Sequence, residues 1–325
     1  MRCRRSYVAN DKVEDLLKYM GSSPRPDNFD TYWIRALKEL DSQSLEYELV
    51  PAKFQTSVAE CYHLYFTGVG GARIHAKYVK PIQSTGKGPG VALFHGYHSN
   101  SGDWFDKVAF ASHGITVLAM DCRGQSGLSE DNLCVRGTTL KGHIIRGIDE
   151  EDPDRLYYRN VFLDLVQTVR ILQSLEQVDP SRIGVHGCSQ GGALTLACAA
   201  LEPTVKLAIS VYPFLSDYKK AWEMEAVSSA YEEIAYYFRF MDPVHSRQDD
   251  VFDKLGYIDI QNLADRIQAK VIFVTALADS ICPPYTQFAA YNKIQSEKEL
   301  VVYHEYGHEY LPDLSDRVLQ AFLKL

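Results

Sequence analysis

The stretch Ile183-Gly184-Val185-His186-Gly187-Cys188-Ser189-Gln190-Gly191-Gly192-Ala193-Leu194-Thr195-Leu196-Ala197-Cys198-Ala199-Ala200 passes from an apolar, β-branched segment through G-x-S-x-G into good helix formers. Strand, tight turn and helix in that order are what a nucleophile elbow requires. Gly187 and Gly191 lack a Cβ, so the backbone can turn sharply and expose the Ser189 hydroxyl at the carboxyl end of the strand. The helix that begins at once aims its unpaired N–H groups and positive dipole end at any anion formed there. A bare five-residue match also fits a glycine-rich turn with a serine N-cap. The flanking strand and helix favour the nucleophile.

Outward from the elbow, short apolar runs recur at 90–94, 115–120, 207–211, 270–275 and 300–303, with helical segments such as 160–175 between most of them. Runs that have lost their alternation read as buried parallel strands with crossover helices. The fold class is therefore α/β, a mostly parallel central sheet flanked by helices. Alternating runs at 60–68 and 72–79 around Val69-Gly70-Gly71 read as an antiparallel hairpin. Helical periodicity at 13–19 and 30–40 gives an N-terminal helical extension over 1–45. Residues 122–158, rich in glycine and charge, read as a loop insertion, and 215–266 as a helical, cap-like insertion. Tyr231, Tyr236, Tyr237 and Phe238 are expected to pack the core of that insertion. At 325 residues, a single domain over 1–325 with these insertions is expected, although the usual ~150 residues per domain would allow two.

Thirty-four basic against 42 acidic residues, a net charge of -8, disfavours attraction to nucleic acid or to an anionic membrane surface. Met1-Arg2-Cys3-Arg4-Arg5 is followed by the polar run 10–15 where an export signal needs an apolar core. No uninterrupted apolar run reaches the ~18 residues of a membrane span. The seven cysteines are odd in number, scattered and without metal-type pairing. A reduced, cytoplasmic setting accommodates all of this.

A serine hydroxyl becomes a nucleophile only when a base removes its proton, so the elbow calls for a histidine and a carboxylate downstream, in the order serine, acid, histidine. Asp279, in Leu277-Ala278-Asp279, follows one apolar run, and His308, in Tyr306-Gly307-His308-Glu309, follows the last. His304 lies at the end of its run, where alternation turns it to packing or solvent. Asp217 is the rival position for the acid, while Asp253 and Asp265 read as solvated helix charges. His63, His75, His113 and His186 read as core or surface residues. Cys188 precedes the apex of the turn and is expected to point away from the site. Oxyanion donors are expected at the backbone N–H of Gln190 and, from the loop Phe94-His95-Gly96-Tyr97, that of Tyr97. Each such donor is worth ~3 kcal/mol of transition-state stabilisation.

An ordered series of motifs surrounds these residues: Phe94-His95-Gly96-Tyr97, Arg123-Gly124-Gln125-Ser126, Arg146-Gly147-Ile148, Tyr157-Tyr158-Arg159, Gly187-Cys188-Ser189-Gln190-Gly191-Gly192, Pro213-Phe214-Leu215-Ser216-Asp217, Asp279 through Ile281-Cys282-Pro283-Pro284, and His308-Glu309. The series resembles carbohydrate esterase family seven, the acetyl xylan esterases and cephalosporin C deacetylases, over about two thirds of the chain. The resemblance implies an α/β-hydrolase fold that releases acetate from acetylated saccharides and related small esters without a cofactor. It also implies a ring-shaped homohexamer with sites facing an inner cavity. The family's triad maps onto Ser189, Asp279 and His308, and its oxyanion donors onto Tyr97 and Gln190. Substrate contacts are expected at Tyr97, Pro213 and Ile281. Arg123 is expected to brace neighbouring loops through bidentate hydrogen bonds. Tyr285 stands where a small serine is usual and Ala278 where a larger apolar residue is usual, and both bear on acyl-pocket size. A serine peptidase and a non-catalytic binding protein on the same fold are the competing classes. A complete set of nucleophile, base, acid and oxyanion loop disfavours the second.

Overall fold

The computed structural model describes residues 13–82, 86–137, 142–225 and 230–325. A first helical stretch, α1, covers 13–16 of the described chain, and α2 (Phe29–Leu40) turns Phe29, Tyr32, Trp33, Ala36 and Leu40 inward at helical spacing. The strands β1 (Tyr47–Pro51), β2 (Ala59–Thr67), β3 (Arg73–Pro81) and β4 (Gly88–Phe94) follow, then α3 (Phe105–Ala111) and β5 (Thr116–Met120). Next come α4 (Tyr157–Ser174), β6 (Val178–Cys188), α5 (Gln190–Leu201) and β7 (Leu207–Val211). Between β7 and the next strand lie α6 (Tyr218–Glu223), α7 (Glu232–Phe240), α8 (Gln248–Leu255) and α9 (Ile260–Leu263). The chain closes with β8 (Lys270–Ala276), α10 (Pro284–Tyr291), β9 (Lys298–Tyr303) and α11 (Leu314–Phe322).

The strands form one sheet in the order β1-β2-β3-β5-β4-β6-β7-β8-β9. The four at the β1 end pair antiparallel and those from β5 to β9 pair parallel. This is the mostly parallel, helix-flanked sheet expected from the apolar runs. The residues of β5 and β7 are buried throughout, as expected where helices cover both faces. Helix α5 is buried at all twelve positions, so it forms a core helix with no solvent stripe. Strand β1 has no counterpart in the sequence reading. All five of its residues are exposed, so it carries neither alternation nor an apolar run, and it is defined by edge pairing with β2.

Register brings the functional loops to one edge. Gly187 lies beside Phe94 on one side and Ser210 on the other, and Cys188 lies beside Val211. The carboxyl ends of β4, β6 and β7 therefore coincide, and the segments that follow them emerge together, the usual place for a ligand in an open parallel sheet. The backbone N–H of Leu277 donates to Tyr303 O at 3.0 Å and that of Ala278 to Tyr306 O at 2.9 Å, which ties the loop after β8 to the loop after β9.

Arg123, just after β5, is completely buried. Its Nε and Nη2 grip Asp164 of α4 at 2.5 and 2.8 Å, and Nη2 also donates to Val69 O at 2.7 Å. The bracing expected of the Arg-Gly-Gln motif is thus anchored on a helix and on the β2–β3 turn. Burial pushes the Asp164 carboxyl up and the guanidinium opposes it. Replacing Arg123 by alanine would strand that carboxylate, and a loss of about 3–5 kcal/mol in unfolding free energy is expected, read by urea titration at neutral pH. A loss below about 1 kcal/mol, the scale of an exposed pair, would contradict this.

Candidate active site

Ser189 adopts φ 60° and ψ -120°, a strained conformation for a residue with a side chain. The surroundings enforce it. Its N–H donates to Val211 O at 2.9 Å, and its carbonyl accepts from Phe214 N at 3.1 Å. A Cβ on Gly187 would stand 2.4 Å from Phe94 O, and one on Gly191 would stand 2.1 Å from the same oxygen. Only glycine fits at either position, and the two close approaches bring the β4 loop against the elbow.

The hydroxyl so presented meets a histidine. His308 Nε2 lies 3.0 Å from Ser189 Oγ, and His308 Nδ1 lies 2.8 Å from Asp279 Oδ2. With Nδ1–H donated to a carboxylate, Nε2 is left as the acceptor for the serine proton. The Asp279 side chain is wholly buried, and that of His308 is 20% exposed. Oδ1 of Asp279 accepts from the backbone N–H groups of Ile281 and Cys282, each at 2.9 Å, and Oδ2 also accepts from Gln287 Nε2 at 3.4 Å. The ring of Tyr212 packs on the imidazole with centroids 4.5 Å apart.

Among the described residues, neither Tyr97 N–H nor Gln190 N–H has a hydrogen-bond partner. Gln190 follows the serine as the first residue of α5, and Tyr97 lies on the loop after β4, where a Cβ on Gly96 would stand 4.0 Å from Cys188 O. The Gln190 side chain is buried, its Oε1 accepting from Tyr158 Oη at 2.8 Å and Gln125 Nε2 at 2.9 Å. Pro213 follows Tyr212, its Cα within 3.3 Å of where a Gly192 Cβ would lie, and Ile281 sits half-buried on the acid loop. Asp279, Cys282 and His308 are the group of potential metal ligands found among the described residues, with ligand atoms within 4.8 Å of one another. That group coincides with the serine–histidine–aspartate line, where the carboxylate oxygens already accept four hydrogen bonds.

The family model described as Acetyl xylan esterase (AXE1) matches residues 9–325. The chain belongs to the acetyl xylan esterase family. It is thus one of the carboxylic ester hydrolases built on the α/β-hydrolase fold. It is similar to the crystal structure of acetyl xylan esterase 1 from Thermoanaerobacterium sp. JW/SL YS485, at 53% identity and TM-score 0.93, covering 96% of this chain and 98% of that one. The acetyl xylan esterase of Paenibacillus sp. R4 is 36% identical with a TM-score of 0.89, over 96% of this chain and 98% of that one. Acetyl esterase Axe7A of Xylanibacter ruminicola is 26% identical over 283 residues, and the match takes in 85% of this chain but spans 62% of that protein's length.

The rival groups lie elsewhere in this esterase-family chain. Asp217 turns its carboxylate to the N-terminal arm, accepting from Tyr19 Oη at 2.6 Å, Ser22 Oγ at 3.0 Å and Ser23 N at 2.8 Å. His304 is exposed. Burial pushes the Cys188 thiol up to about 11, which keeps it protonated at neutral pH. Tyr285 is an anchor for the arm: its ring meets that of Tyr19 edge-on at 5.2 Å, with Lys220 Nζ 5.4 Å above it. Ala278 is exposed and joins the two loops through its backbone. Both departures from the family pattern therefore carry structural contacts, Tyr285 to the arm and Ala278 between the loops after β8 and β9. In the insertion, Tyr231, Tyr237 and Phe238 are buried, and Tyr236 stacks on Phe240. Sequence reasoning missed Tyr212 and Glu233. Tyr212 sits immediately before the Pro213-Phe214 motif, a position that could have flagged it, whereas Glu233 carries no local signal.

His143 adds a titratable group near Tyr97. Its ring stacks on Tyr157 with centroids 4.4 Å apart, and its Nδ1 has no hydrogen-bond partner among the described residues. Burial, reinforced by Arg146 and His98, pushes its pKa from 6.5 down to about 4. Between those values the unfolded chain takes up a proton that the folded chain refuses, so stability present above about pH 6.5 is lost as pH falls towards 4. The substitution His143→Phe keeps a stacking ring and removes the proton site. Its melting temperature is expected to fall less than that of the wild type across this window, and parallel curves would refute the assignment.

Proposed function

We propose that the protein is a serine esterase that removes acetyl groups from acetylated xylo-oligosaccharides and related small esters, cephalosporin C among them, through an acyl-enzyme on Ser189. The observation that carries this reading is the continuous line from Ser189 Oγ through both ring nitrogens of His308 to Asp279, at 3.0 and 2.8 Å. Membership of the acetyl xylan esterase family supports the acetyl substrate.

In the first half-reaction His308 Nε2 takes the Ser189 proton as Oγ attacks the acetyl carbonyl carbon. The carbonyl oxygen becomes an oxyanion held by the N–H groups of Tyr97 and Gln190. The C–O bond to the sugar then breaks, and the imidazolium returns the proton to the leaving alkoxide oxygen. Asp279 holds the ring in the tautomer that accepts at Nε2 and stabilises the imidazolium. Water repeats the sequence, with His308 as base, and acetate leaves with Ser189 restored. Pro213, on the loop after β7, and Ile281, on the loop after β8, would contact the substrate. Each step is a proton transfer or an acyl transfer within this set of residues.

Acetate release from acetylated xylo-oligosaccharides and cephalosporin C, beside a series of p-nitrophenyl esters of increasing acyl length, tests the proposal. Acetyl esters are expected to be the best substrates by kcat/KM. A preference for long acyl chains, or faster cleavage of acylated peptides than of acetyl esters, would refute it.

A further inference from the structure

Glu233 lies on α7, inside the segment between β7 and β8, and is 1% exposed. Its Oε1 accepts from Tyr97 Oη at 2.7 Å, and its Oε2 accepts from Ile145 N–H at 3.1 Å. Tyr97 Oη in turn accepts from His143 N at 2.7 Å. Its oxygen already receives one N–H, so the phenolic proton is directed at Glu233. The approach is close: at Gly142, with φ +83°, a Cβ would stand 2.2 Å from Oε1.

A carboxyl in this position is costly. Burial pushes its pKa up to about 8 against the opposing pull of its hydrogen bonds, and an apolar residue of the same size would avoid that cost. The cost is intelligible if the group holds something in place. Its side-chain partner is Tyr97, whose ring also rests on Phe214 with centroids 5.4 Å apart. Phe214 N–H is bonded to the carbonyl of Ser189. Tyr97 is thereby fixed at its hydroxyl by α7 and at its ring by a residue bonded to the elbow.

We propose that Glu233 is a positioning residue that acts through the Tyr97 hydroxyl to hold the Tyr97 backbone N–H in line with the oxyanion, an inference that rests on the oxyanion role assigned above. Donors aimed at a developing oxyanion act on the transition state and not on the bound ester. Loosening them lowers kcat and leaves KM in place.

The test is a double-mutant cycle in the full chain with p-nitrophenyl acetate. Glu233→Leu removes the acceptor of the Tyr97 hydroxyl, and Tyr97→Phe removes the hydroxyl while keeping the ring and the backbone N–H. Each single variant is expected to lose about tenfold or more in kcat with KM within about twofold, and the double variant to lose no more than the larger single loss. Losses that multiply in the double variant would overturn the proposal, as would a rise in KM at constant kcat. Should Glu233→Leu not fold, Tyr97→Phe decides alone, and full kcat in that variant overturns the role of Glu233. The two readings fail differently: a wild type without Ser189-dependent turnover contradicts the esterase assignment, whereas a normal wild type with a fully active Tyr97→Phe variant contradicts only the positioning role.

Discussion

Ser189→Ala is expected to lower kcat on p-nitrophenyl acetate by at least about a thousandfold, and retention of more than about a thousandth of the wild-type rate would contradict the nucleophile assignment. The backbone of the elbow survives this change, because its shape is set by Gly187, Gly191 and the close approach of Phe94 O. Folding and substrate binding should therefore be unaltered, and the loss should fall on kcat. The nearby thiols offer no substitute. Burial pushes Cys188 up to about 11 and Cys282 well above its ordinary value, so neither supplies a thiolate at neutral pH. What remains in the variant is the contribution of the oxyanion donors and of substrate positioning, which by itself stays far below the complete triad.

Asp279→Asn is expected to lower kcat by about 10⁴-fold while Asp217→Asn leaves it near the wild-type value. Asparagine at 279 can present an N–H where the Oδ2 acceptor stood, and His308 would then turn its proton towards Ser189, the wrong tautomer for a base. Asparagine at 217 faces Tyr19, Ser22 and Ser23, and its effect should appear as a lower melting temperature through a loosened arm. A larger loss of kcat from the Asp217 variant would reverse the assignment of the acid.

Features that are local in sequence were legible in it. The elbow needs only a few residues of context, because the strand, the glycines and the helix are contiguous. Asp279 and His308 could be singled out because each follows an apolar run that became β8 or β9. The sheet itself was readable because β5 and β7 are buried on both faces and lose their alternation. Strand β1 was not legible, since its five exposed residues carry no pattern and its only definition is pairing with β2. The preference for Asp279 over Asp217 could be argued from chain order alone, and what supports it in the fold is the set of arm donors almost two hundred residues earlier that occupies Asp217. The packing of Tyr285 on Tyr19 was not legible for the same reason: the two lie far apart along the chain. Glu233 was invisible because a glutamate in the first turn of an amphipathic helix is ordinarily a surface charge. Its burial depends on the Gly142–Ile145 backbone wrapping over it.

Treatment of the native protein with a fluorophosphonate, followed by peptide mass mapping and assay of acetate release, asks whether ester cleavage runs through a nucleophile at Ser189. One adduct is expected, on Ser189, with activity lost in proportion to labelling. An unmodified Ser189, or full activity in the labelled protein, would contradict it.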